Sequence, residues 1–162
     1  MRVGTGFDIH RLVEGRPLKL GGIEIAHPKG LLGHSDGDVL LHALADALLG
    51  AAALGDIGEL FSDTDPTITG LDSKVIVIRV RDLLVERGWS IVNVDATVIA
   101  ERPKLTDHKP AIRRCIAELL RIPIERVGPK AKTMEKLGPI GRGQAIAAQA
   151  VALIEESRQA GV

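Results

Sequence analysis

Apolar residues recur at two different periods along the chain, and the switches between them mark its elements. The stretches "MRVGTGFDIH" and "LKLGGIEIAH" predict short strands, the second broken by a Gly21-Gly22 turn. From Asp38 onward the Leu and Ala residues of "DVLLHALADALLGAA" fall at helical spacing, and the acidic residues before and at its start suit an N-terminus. "DSKVIVIRVRDLLVERG" predicts a second helix, capped by Asp72 or Ser73 and stopped by Gly88, despite its β-branched run. In "WSIVNVDATVIAE" the residues Ile91, Val92, Val94, Ala96 and Val98 alternate around polar ones, which predicts a strand running into "RPKL". "HKPAIRRCIAELLRI" predicts a third helix ended by Pro123, and "RVGPKAKTME" another strand. The tail "GQAIAAQAVALIEES" fits both periods. Its alanines favour helix, whereas Ile146, Ala148, Ala150, Ala152 and Ile154 also satisfy a period of two.

Composition narrows the class. With 162 residues, 45% of them hydrophobic, the chain is expected to form a single compact α/β domain over residues 1–162. Lys plus Arg equal Asp plus Glu at 21 each, and no basic run exceeds two residues, which leaves no footprint for nucleic acid or a membrane surface. Aromatic residues make up only 2%, which also argues against a base-stacking platform. Cys115 is the sole cysteine, no apolar run approaches a membrane span, and the first residues lack the apolar core of a signal peptide. A cytoplasmic protein is expected.

Four clusters carry candidate chemistry. In "GFDIH" a strand would send Asp8 and His10 to the same side, supplying two metal ligands. A catalytic zinc usually takes three from the protein and keeps its fourth position open, and His42, one turn into the first helix with Asp46 a turn beyond, is the best third donor. D-x-H pairs and helical histidines are also ordinary surface or core features. The second cluster, "GHSDGD", places His34, Ser35, Asp36 and Asp38 in a glycine-flanked loop entering that helix. It reads either as an N-cap among turn residues or as an anion site opposed by its own acids. "GDIGELFSDTDP" gathers Asp56, Asp63 and Asp65 beside Phe61, and "KAKTMEKLGPIGRGQ" offers Thr133, Glu135 and Arg142 near glycines.

Taken in order and spacing, "GFDIH", "LLGHSDGDVLLHALADALLGAAALGDIGELFSDTDP", "DSK", "ERPKL" and "KTMEKLG…GRG" resemble the 2-C-methyl-D-erythritol 2,4-cyclodiphosphate synthase family of non-mevalonate isoprenoid biosynthesis. The resemblance implies conversion of 4-diphosphocytidyl-2-C-methyl-D-erythritol 2-phosphate to a cyclic diphosphate plus CMP. The substrate's own 2-phosphate attacks the β-phosphorus, so the protein's task is positioning and charge neutralisation. It implies Zn²⁺ on Asp8, His10 and His42 with a β-phosphate oxygen in the open position, and Mg²⁺ or Mn²⁺ on Glu135. His34 and Thr133 match the positions credited with stabilising the transition state. Ser35, Asp56, Ile57, Gly58 and the loop Phe61, Ser62, Asp63, Thr64, Asp65 match the methylerythritol phosphate site, and Ile9 and Met134 match further substrate-binding positions. Ala100, Glu101, Arg102, Pro103, Lys104, Leu105 and Thr106, with Lys132 and Thr133, match the cytidine site, and Arg142 a phosphate-facing position.

The family resemblance further implies an α/β (α+β) fold: a mixed, mostly four-stranded sheet with helices on one face and a small N-terminal hairpin. It makes the tail a strand and implies a homotrimer with active sites between subunits. Two positions depart from the family's pattern: Ser62 replaces a proline whose loss frees φ, and Pro139 stands where an aromatic is often found. Two alternative readings remain: a zinc-dependent phosphoesterase, in which the same ligands activate water and Asp46 serves as base, and a non-catalytic nucleotide-binding or scaffold trimer, against which the intact Asp8, His10, His42 and Glu135 argue.

Overall fold

The computed structural model describes residues 1–61 and 70–157. Strand β1 (Arg2–Glu14) leads into the hairpin β2 (Leu18–Leu20) and β3 (Ile23–Ile25), then β4 (Lys29–Leu31). Helices α1 (Val39–Ala52), α2 (Ile57–Leu60) and α3 (Ser73–Glu86) follow. Next come β5 (Trp89–Ile99), α4 (Lys109–Leu120), a 3₁₀ turn at Ile124–Arg126, β6 (Val127–Lys132), α5 (Gly138–Gly141) and β7 (Ala145–Glu156). The main sheet runs β4-β1-β7-β5-β6, with only β5 and β6 parallel, and β2-β3 form the separate hairpin turned at Gly21-Gly22. Mixed sheet, helical layer and hairpin are as expected. The fifth strand is β4, whose three residues are too few to show a periodicity and are set by pairing Leu31 with Leu12.

The tail is a strand, and its alanines have a packing reason. β7 lies in the middle of the sheet, and its inward residues Ile146, Ala148, Ala150, Ala152 and Ile154 are wholly buried. Helix α1 packs so close to β1 and β7 that a Cβ on Gly6 would lie 2.0 Å from the Ala43 carbonyl oxygen, and one on Gly4 would lie 2.1 Å from that of Ala47. Small residues on both sides of this contact let helix and sheet touch through their backbones, so position in the fold overrides the helical propensity of alanine. α1 is buried on nearly every side, as its almost uniformly apolar sequence requires.

Asp38 caps α1, accepting from the Leu41 N–H at 3.1 Å, and Asp72 caps α3 through the Lys74 N–H at 2.9 Å. In β5 the pairing slips between Ile91 and Asn93. This bulge resolves the adjacent apolar pair Ile91-Val92: Ile91 and Val94 both face the core although three residues apart.

Candidate metal centre and its cleft

Because side chains alternate along β1, Asp8 and His10 emerge on the side that meets α1, directly after Gly4 and Gly6. The helix is held close by those glycines, so His42, one turn in, arrives against the pair. Asp8 Oδ2 lies 2.8 Å from His10 Nε2 and 3.0 Å from His42 Nδ1, and the two nitrogens are 3.3 Å apart. A tetrahedral ion at about 2.0–2.1 Å from its ligands needs donor separations of about 3.3 Å, so the three atoms fit a zinc-sized metal after shifts of tenths of an ångström. Among the described residues this is the one such group.

The electrostatics follow the same contacts. Burial alone would raise the Asp8 carboxyl, but hydrogen bonds and charge from His10 and His42 hold it far below the usual carboxylate range. Burial would lower His10, and its contacts with Asp8 and the Leu32 carbonyl prevail and raise it. His10 Nδ1 donates to that carbonyl at 2.5 Å, so the ring presents Nε2 to the site.

The triad opens into a cavity of about 260 Å³ that is also lined by His34, Ser35, Ile57, Gly58 and Phe61, all of them candidates named above, and by Ile76 of α3, which the sequence reading did not single out. Asp56 caps α2 through the Glu59 N–H at 2.9 Å. Asp46 accepts from the Ile57 N–H at 2.8 Å, so it ties α2 to α1 and braces the cleft wall. Burial, with the charges of Asp56 and Asp8, raises its carboxyl despite that bond. Ile9 sends its side chain to the opposite face of the sheet, and its N–H donates to Asp8 Oδ1 at 2.8 Å. Ser62, Asp63, Thr64 and Asp65 lie outside the described residues.

The remaining candidates gather elsewhere, at the ends of β5 and β6. The Ala100 N–H donates to the Lys132 carbonyl at 2.9 Å, which ties the Ala100–Thr106 segment to the Lys132–Glu135 stretch. Ala100 and Leu105 are buried in the core, whereas Arg102, Lys104 and Thr106 are exposed around them. Thr133 Oγ1 donates to Glu135 Oε1 at 2.6 Å, Met134 is exposed beside them, and Glu101 accepts from the Lys136 N–H at 3.3 Å. Arg142 is exposed at the end of α5. β6 is three places from β1 in the sheet, which is about 14 Å at about 4.8 Å per strand. Within one chain the two groups of candidate residues therefore stay apart.

A mixed sheet backed by helices, with an open Asp-His-His ligand group at the mouth of a cleft, defines an α/β metal-site protein. The YgbB family model matches residues 1–155, and the chain belongs to the YgbB family. It is similar to the 2-C-methyl-D-erythritol 2,4-cyclodiphosphate synthase of Nitrosospira multiformis, with 58% identity over 158 residues, covering 98% of this chain and 89% of that protein. A solved 2C-methyl-D-erythritol-2,4-cyclodiphosphate synthase in a CDP-bound form matches with a TM-score of 0.88 at 44% identity, covering 95% of this chain and all (100%) of that one. The bifunctional IspDF from Campylobacter jejuni matches with a TM-score of 0.92 at 44% identity over 96% of this chain, which spans 42% of that longer one.

Proposed function

We propose that this chain is a 2-C-methyl-D-erythritol 2,4-cyclodiphosphate synthase: an oxygen of the substrate's 2-phosphate attacks the β-phosphorus, the bond from that phosphorus to CMP breaks, and CMP leaves. Membership of the YgbB family and the likeness to synthases over nearly their whole length support it. The observation that carries it at the level of residues is the Asp8–His10–His42 group opening into a cleft lined by His34 and Ser35. The reaction needs no nucleophile from the protein. It needs a flexible polyanion bent until two phosphates meet, which is positioning plus electrostatics.

Asp8, His10 and His42 would hold Zn²⁺, and Glu135 the Mg²⁺ or Mn²⁺. When bound, such ions neutralise phosphate charge and polarise the phosphorus under attack. His34 would donate a hydrogen bond to oxygens that gain charge as the ring closes, and so would Thr133 once Glu135 turns from its hydroxyl to the cation. Ser35, Ile57, Gly58 and Phe61 would seat the methylerythritol phosphate, and the Ala100–Thr106 and Lys132–Thr133 segments the cytidine, a reading supported by the CDP-bound relative. The two half-sites call for a second subunit, and the outer sheet face offers a contact for it: Val3, Phe7 and Ile9 are 64%, 59% and 49% exposed there. A homotrimer acting in the cytoplasm completes the reading. No helix among the described residues is long and apolar enough to cross a membrane.

Incubating the protein with the cytidine-linked substrate and Mg²⁺ is expected to yield CMP and a cyclic diphosphate by ³¹P NMR. Release of inorganic phosphate from simple esters instead would favour the phosphoesterase reading, whose base would have to be Asp46, already engaged with α2.

A further inference from the structure

The triplet Asp72-Ser73-Lys74 contributes to the resemblance yet has no part in the site as described so far. Ser73 is wholly buried at the first position of α3, and its Oγ lies 3.0 Å from His42 Nε2, the ring nitrogen turned away from Asp8 and His10. The same Oγ lies 2.5 Å from Asp36 Oδ1, and Asp36 Oδ2 lies 3.2 Å from Lys19 Nζ. We infer that Ser73 is a positioning residue that sets the tautomer of His42 through the relay Lys19–Asp36–Ser73–His42. This rests on reading Asp8, His10 and His42 as zinc ligands.

The proton count forces the direction. Lys19 only donates, so Asp36 is held as a carboxylate that only accepts. Its carboxyl is accordingly lowered: burial would raise it, and the Ser73 and Lys19 hydrogen bonds outweigh burial. The single Ser73 hydroxyl hydrogen is therefore committed to Asp36 in a charge-assisted bond. Toward His42, Ser73 can only accept, so Nε2 carries the imidazole hydrogen and Nδ1 presents its lone pair to Asp8 and the metal. Ser35 Oγ, also 3.0 Å from Nε2, takes the Gly37 N–H at 3.1 Å and has no carboxylate to commit its own hydrogen, so it can donate or accept and does not decide the tautomer.

The test is long-range ¹H–¹⁵N NMR of the His42 ring in metal-free protein under alkaline conditions, paired with zinc affinity by chelator competition. Wild type is expected to show the Nε2–H tautomer. Ser73→Ala is expected to mix the tautomers and weaken zinc binding about 10- to 100-fold. Asp36→Asn supplies a stronger reading. Lys19 draws the amide oxygen toward itself, so the amide NH₂ faces Ser73 and donates, and the freed hydroxyl donates to Nε2. This variant is expected to move His42 toward Nδ1–H with a matching loss of zinc affinity. A wild-type ring protonated on Nδ1, or variants with the tautomer unchanged and affinity within about twofold, overturns the relay. If Ser73→Ala does not fold, the wild-type spectrum and Asp36→Asn decide it. Failure of the ligand reading would look different: wild type itself would not take up zinc.

Discussion

Two acids two positions apart, Asp36 and Asp38, do different work at the entrance to α1. Asp38 is wholly buried and spends both carboxylate oxygens on backbone: Gly21 N–H at 2.9 Å and Leu41 N–H at 3.1 Å on one, Gly22 N–H at 2.7 Å on the other. Burial raises its carboxyl, and the three amides act against that. Asp38→Asn puts an NH₂ against an N–H, so urea unfolding is expected to show a loss of about 1–3 kcal/mol. Asp36 has its carboxyl lowered, so its contribution to stability is present above the unfolded carboxylate value of about 3.9 and is lost as pH falls through the lower folded value. The stability gap between wild type and Asp36→Asn should thus be widest near neutral pH and close in acid, read by thermal melts across pH. His42 is buried but lines the cleft, so His42→Ala takes away one of the three candidate ligands at a place that cleft solvent can fill. It is expected to leave a folded protein without zinc, by metal analysis, and without turnover. The caps Asp38 and Asp72 could be read from the sequence because an N-cap is a local device. The Ser73–His42 and Asp36–Ser73 contacts could not, because they join residues 31 and 37 positions apart.

At the scale of elements, the site is a product of one close crossing. Asp8 and His10 meet His42 because α1 lies on Gly4 and Gly6 with Ala43 and Ala47 opposite. D-x-H on a strand and a histidine one turn into a helix were visible as a pattern, but pattern does not say that the two elements touch. The glycines do, once the strand's inward face is known: an inward glycine marks a close backbone approach. Gly6→Ala forces its Cβ to within 2.0 Å of a helix carbonyl, so the helix must back away or tilt. A loss of more than about 3 kcal/mol of stability is expected, with zinc affinity falling too because His42 moves with the helix. Unchanged zinc affinity in a destabilised variant would separate the crossing from the site. The same crossing explains why a strand so rich in alanine fits both periods: its period of two is real, and the small size of its residues answers to α1.

For the whole molecule, the candidate residues fall into two groups on opposite sides of the β7–β5 pair. The metal half sits on β1 and α1, the half with Thr133 and Glu135 at the end of β6, with β7 and β5 between them. If adjacent subunits of a closed ring complete each other, two dead variants must revive one another. His42→Ala spoils the first half and leaves the second, whereas Glu135→Gln does the reverse. The latter alone should lose Mg²⁺ dependence and most of its rate. In trimers assembled at random from equal amounts of the two, a site works only where an intact metal half faces an intact Glu135 half, which is about one site in four. Co-refolded mixtures are therefore expected to regain about a quarter of wild-type turnover, and the single variants mixed without subunit exchange none. Phe7→Glu, placing a charge on the exposed outer sheet face, should abolish that recovery by yielding monomers in light scattering while the metal half still binds zinc. Recovery absent from verified mixed trimers would mean that each chain builds its site alone, against the separation its own sheet imposes.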